Sequence, residues 1–231
     1  MININFSPIQ HFLVVSVFVF LMLFLNYKYL QEDVKKEKVH REDKKKEKPE
    51  KFLFLLGIIA FCGMAAEGAM ADWSGLYFKD IVKVSDNLVP IALTAYMITM
   101  ASARFLADHF TEKLGRKKVI QVSGALIFLG LGLAVIYPHL LVTTISFMIV
   151  GLGTASIVPT VYSVAGHKTK ISTGVALTIV SSVSFLGFLL GPPVIGYISE
   201  VSNLRISFGV VALLAAGIVL MGSKVKILRE D

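Results

Sequence analysis

Cysteine is almost absent from this chain, and its single copy, Cys62, sits inside an apolar run, so no intramolecular disulfide can form. Histidine is sparse too: five residues lie scattered, with no spacing that suggests a metal site. There is no glycine-rich phosphate loop and no nucleophile elbow, so neither a catalytic residue nor a cofactor is expected. Charge is thin as well, with only 17% Asp, Glu, Lys and Arg. At 55% hydrophobic residues and a mean hydropathy of +0.72, the chain is too apolar to keep the surface of a soluble domain wet. What these shortages leave is an all-α integral membrane protein.

The 231 residues carry apolar runs near 9–30, 52–78, 86–107, 118–137, 140–165, 171–198 and 205–223, separated by short polar or Gly/Pro-bearing joints. A helix needs about 20 residues to cross ~30 Å of hydrocarbon. Seven transmembrane helices are therefore expected, with no room for a large soluble domain. Reading the first run as a signal peptide would require basic residues within 1–10 and a small-residue cleavage site, and neither is there.

Positive charge orients the helices, because Lys and Arg in short loops stay on the cytoplasmic side. Residues 28–51 hold ten of the 23 Lys and Arg, "TEKLGRKK" four, "GHKTK" two and the tail "KVKILRED" three. The alternate joints hold only Lys79, Lys83 and Arg205. The N-terminus is thus expected outside and the C-terminus in the cytoplasm, and the net charge of +7 reports topology without any need for nucleic acid. The lysine-rich run is read first as a solvated flexible linker of mixed charge, with contact to anionic headgroups of the bilayer as the alternative. The organisation that follows is a first helix over 1–30, a charged cytoplasmic linker over 31–51, a six-helix bundle over 52–223 and a cytoplasmic tail over 224–231.

Between the third and fourth helices stands "RFLADHFTEKLGRKKV", a turn of about two to four residues with Gly115 as its bend, followed by a basic cluster, with carboxylates at Asp108 and Glu112 able to pair with Arg104, Arg116 or a neighbouring helix N-terminus. A plain topogenic loop is the alternative. Glu112, Gly115, Arg116, Lys117 and Lys118 resemble the loop signature of the major facilitator superfamily, which follows the second helix of each six-helix half. Glu112 stands where that signature usually has Asp, and Asp108 where it usually opens with Gly. "FLGFLLGPPVIGYISE" adds Gly187 and Gly191, four apart, which leave a groove where another helix can approach, and Pro192 and Pro193, which should bend their helix. This segment resembles the eleventh helix of a facilitator transporter, and "AEGAMADWSGLYF" its seventh. Together they are similar to the fucose-permease-like branch, with residues 9–223 as helices six to twelve. The resemblance implies a bundle of two three-helix repeats in a bacterial cytoplasmic (inner) membrane, moving a small solute by alternating access. It also implies a truncated or split carrier, completed by a missing N-terminal half or by a second copy.

Two acids sit where lipid is expected. Glu67 lies about 22 Å along its helix, past the midplane, at ~1.5 Å per residue. A carboxyl there is expensive unless it faces a cavity or a partner, and a proton-coupled carrier would use it to load and release H⁺; a packed bundle could also satisfy it with Ser or Thr hydroxyls. Asp72 is expected at the outer mouth, capping a helix break with Trp73, Ser74 and Gly75. Tyr96 and Thr99, Thr160 and Tyr162 near Pro159, and Ser181 and Ser184 are candidate cavity residues whose hydroxyls and rings suit a small polar, for instance sugar-like, solute. Arg104 is expected to snorkel or to pair with Asp108, and Trp73 and Tyr77 to anchor at the interface. Two other classes remain: a nontransporting membrane scaffold or remnant, and a seven-helix receptor or retinal protein, against which the last span lacks a lysine for a Schiff base.

Overall fold

The computed structural model describes residues 8–39, 50–169 and 171–224, and among these every regular element is helical. The helices are α1 (Pro8–Val39), α2 (Lys51–Tyr77), α3 (Pro90–Leu114), α4 (Arg116–Ile136), α5 (Leu140–His167), α6 (Thr173–Val201) and α7 (Leu204–Lys224). Six of them, α2 to α7, are long and apolar enough to cross a membrane. Among the described residues α1 carries an apolar stretch, Phe12–Tyr27. It also continues to Val39, into the segment expected as linker, where Gln, Glu and Lys are good helix formers. The remainder of that linker, 40–49, and the tail, 225–231, lie outside the described residues. Residues 1–46 and 47–231 form two units, the second holding α2 to α7.

Within the six-helix unit each boundary has a local cause. α3 starts later than expected, at Pro90, whose fixed φ and missing N–H suit a first helical position. It ends later too, at Leu114, where Gly115 takes φ +77° and ψ 150°. That backbone region is open almost only to glycine. The expected turn of several residues is therefore a single residue. α2 is followed by a π-helical turn, Phe78–Val82, which stops at Lys83 in the left-handed conformation.

The most extensive helix pairs are α2 with α6, α4 with α5, α3 with α5, and α4 with α7. Exchanging the first three helices of the bundle for the last three turns α2–α6 into α5–α3 and leaves α4–α7 unchanged, a pairing pattern that suits two three-helix repeats. Each three-helix unit crosses an odd number of times, which makes the two repeats inverted in topology. α2 and α5 are the most buried helices, and α3 and α6 the least.

In lipid no hydrophobic force pulls helices together, so close van der Waals approach must do it, and small residues permit that approach. The parallel α2–α6 seam shows the device. A Cβ on Gly187 would run into the carbonyl of Phe61, one on Gly191 would meet the backbone of Ala65 at 3.2 Å, and Gly57 faces Val183. Each pair keeps the same offset along the two helices. Gly151 stands likewise against Tyr96 and Thr99 between α5 and α3, Gly153 against Ser123 and Ile127 between α5 and α4, and Gly124 against Ile218 between α4 and α7. Gly187→Ala is expected to cost about 1–3 kcal/mol by overpacking. Gly132→Ala in α4, where a Cβ meets nothing within 4 Å, should be neutral or stabilise by about 0.4–1 kcal/mol. Thermal unfolding of the detergent-solubilised variants, followed by circular dichroism, checks the contrast.

Candidate functional site

The central polar feature of the bundle is an ion pair between neighbouring helices. Arg104 on α3 places Nη2 3.2 Å from Oε1 and 3.4 Å from Oε2 of Glu67 on α2. The Glu67 side chain is 19% exposed and that of Arg104 46%, so the pair is let into the bundle wall and remains open on one side. This corrects the expected Arg104–Asp108 pairing. Asp108 is exposed and can be solvated where it stands, whereas Glu67 is largely removed from water and leaves a larger cost uncompensated unless a cation reaches it.

Five residues on, Asp72 lies exposed at the edge of a groove between α2 and α6 that also touches Trp73, Leu76, Phe188, Pro192 and Pro193. The helix break expected here does not occur: α2 runs unbroken from Lys51 to Tyr77, and Asp72 caps nothing. The irregular backbone is on the facing helix. Pro192 and Pro193 have no N–H to return to the carbonyls one turn earlier, and the freed carbonyl of Phe188 lies 3.2 Å from where a Cβ on Gly68 would stand. The Trp73 indole N–H donates to the carbonyl of Pro192 at 3.2 Å, which fixes its ring across the α2–α6 seam.

Most of the expected cavity hydroxyls are engaged inside the bundle. Tyr96 is fully buried and shares a 3.1 Å hydrogen bond with Thr154, so it ties α3 to α5. The Tyr162 hydroxyl meets Ser184 at 2.9 Å and ties α5 to α6. Thr160 is buried, Thr99 donates to carbonyls of its own helix, and Ser181, half-buried, donates to the carbonyl of Thr178. The turn motif is drawn out along two helices: Asp108 and Glu112 lie exposed on α3, Gly115 is the hinge, and Arg116 opens α4. Gly187 and Gly191 face α2 as described, with the Pro192–Pro193 step beside them.

Tyr77 and Arg205 hold a site that the sequence reading missed. Tyr77 is fully buried, not an interface anchor, and donates to the carbonyl of Ala134 at 2.9 Å. That carbonyl lacks its helical donor because the residue four positions on is Pro138. Arg205 supplies the next two carbonyls of α4, Val135 through Nε and Ile136 through Nη2, the latter at 3.1 Å. Beneath them the rings of Tyr77, Phe78, Phe147 and Phe208 pack with centroids 4.5–5.9 Å apart. A proline just beyond an apolar helix was the available signal.

A sequence model of the Major Facilitator Superfamily matches residues 53–229. Among curated proteins, the membrane protein MosC of Rhizobium meliloti is 34% identical over 152 residues, 66% of this chain and 37% of that protein. The stretches matched in three such relatives span 37%, 43% and 47% of their own length. Among solved structures, the peptide transporter POT in complex with sulfate gives a TM-score of 0.68 at 19% identity, over 74% of this chain and 37% of that one. The facilitator transporter FucP in its outward conformation gives 0.66 at 18% identity, over 76% and 42%.

If the two charges act as a unit, Glu67→Gln and Arg104→Gln should not add. The double variant is expected to recover between about 0.5 and 3 kcal/mol relative to the sum of the single losses. Asp108→Asn should add independently to Arg104→Gln. A double-mutant cycle on thermal stability in lipid nanodiscs measures both couplings.

Proposed function

The chain belongs to the major facilitator superfamily, and we propose from that membership that α2 to α7 form the C-terminal half of a carrier moving a small solute by alternating access. Membership in this family makes the protein an integral membrane transport protein; the half, the solute and the coupling are the proposed parts. The second bundle that alternating access requires would dock along α3 and α6, the helices least covered by their own unit. It is contributed by an N-terminal half or by a second copy. The charge rule would put the Gly115 end in the cytoplasm of a bacterial cell, with this protein in the inner membrane.

The observation that carries this reading is the Glu67–Arg104 pair, at 3.2 Å in the middle of two membrane-spanning helices. Charges are kept at such depth where they serve a pathway or relay. A guanidinium and a proton compete for the same carboxylate oxygens. Closed, the pair neutralises Glu67 without a proton; parted by movement of α3 against α2, it leaves a carboxylate that takes one up. That exchange is a physical basis for proton coupling. With Tyr96, Thr160 and Tyr162 turned into the bundle, the solute meets chiefly Glu67, Arg104, Ser181 and Asp72, so a polyol has fewer hydroxyl partners than the sequence suggested.

Purification of the chain from its native membrane with whatever bundle accompanies it, followed by reconstitution into proteoliposomes carrying a pH-sensitive dye, tests this. A panel of small polar solutes is expected to yield one whose addition moves protons inward with wild type. Glu67→Gln should abolish that proton movement while solute exchange persists. Proton movement that survives Glu67→Gln unchanged removes Glu67 from the coupling.

A further inference from the structure

We propose that the groove between α2 and α6 is a binding subsite for an organic cation, an ammonium carrying an apolar body, with Asp72 as its counter-charge. The proposal deepens the reading of α2 as a wall of the solute pathway, and it can fail or stand separately because its test reads binding and not transport.

The groove is open on one side and offers about 500 Å³, a volume within the range of about 300–1,000 Å³ typical of small-molecule sites. Its recognition chemistry is one-sided. Asp72 offers acceptor oxygens and a negative charge, and among the described residues no cation is paired with it, whereas Glu67 is matched by Arg104 and Asp86 by Lys79. Hydrogen-bond donors are lacking around it. Pro192 and Pro193 have no N–H, Leu76 and Phe188 have no polar side-chain atom, and the one indole N–H, on Trp73, is already given to the carbonyl of Pro192. An anionic ligand would meet only repulsion there, and a polyol would find no donor for its own oxygens.

A cation is favoured on each count. It gains Coulomb attraction to a carboxylate beside apolar walls, where screening is weaker than in water. Trp73 and Phe188 line the groove with aromatic rings, and indole is the best partner for cation–π contact. Leu76 and the proline rings receive the apolar body. Because its N–H is tied down across the seam, the indole is held in place before a ligand arrives, which lowers the entropy cost of binding.

Trp73 is the single tryptophan of the chain, so its fluorescence reports on this groove alone. The full chain in liposomes of zwitterionic lipid is titrated with choline and, separately, with its neutral isostere 3,3-dimethylbutan-1-ol. Choline should give a saturable change in Trp73 emission, and the isostere should bind at least about tenfold more weakly. Asp72→Asn should raise the apparent Kd for choline at least about tenfold, and Asp72→Glu should keep it near wild type. Both variants should retain the helical circular dichroism of the parent, since Asp72 supports no other contact. A choline response that is absent, that the isostere reproduces, or that survives Asp72→Asn unchanged overturns the proposal.

Discussion

Hydrocarbon offers no hydrogen bonds, and this one constraint organises the bundle. At several carbonyls left without a helical donor, by a proline or by the end of a helix, a residue from another helix stands close. Tyr77 donates to Ala134 because Pro138 cannot, Arg205 donates to Val135 and Ile136, and Phe188 lies open towards Gly68. Trp73 adds a donor to the carbonyl of Pro192 across the α2–α6 seam. These contacts join different helices, so satisfying the backbone is also what fixes which helix packs on which. The glycine seams follow from the same absence of solvent, because only close approach supplies attraction between apolar helices in lipid.

α2 is where these contacts converge. It is pressed to α6 along the seam through Gly187 and Gly191, bound to α4 through Tyr77, and joined to α3 chiefly by one charge pair. The first is an interlocked surface that resists sliding, and the second is a single buried hydrogen bond. The third is an ion pair open on one side. The α2–α6 seam is thus the most extensive contact that α2 makes. The link from packing to function lies in this inequality between interfaces.

Much of the fold was legible in the sequence because hydropathy and Lys/Arg placement report length and order directly, and the glycines at 187 and 191 announced a close approach through their spacing alone. Which helix they approach was not legible. Periodicity identifies a face, and the partner across it depends on the arrangement of all six helices. Arg104 was therefore read against Asp108, one turn away, although its carboxylate is Glu67, 37 positions earlier in the chain. Tyr77 was read as an interface ring for the same reason, with its acceptor 57 residues away on α4. The hydroxyls of Tyr96 and Tyr162 looked free for solute because a sequence cannot show that Thr154 and Ser184 stand opposite them. The single-residue hinge at Gly115 was shorter than foreseen because Asp108 to Leu114, polar as that stretch is, stays helical.

The charge state of Glu67 in lipid is the point on which the functional reading turns. Isotope-edited infrared difference spectroscopy of the chain in a bilayer, wild type against Glu67→Gln, observes that carboxyl directly. An ionised carboxylate band that converts to a neutral carbonyl band when Arg104 is replaced by Gln is the expected result. A neutral carbonyl band already present in the wild type, insensitive to Arg104, would show that no ion pair joins α2 to α3 and would contradict the coupling built on it.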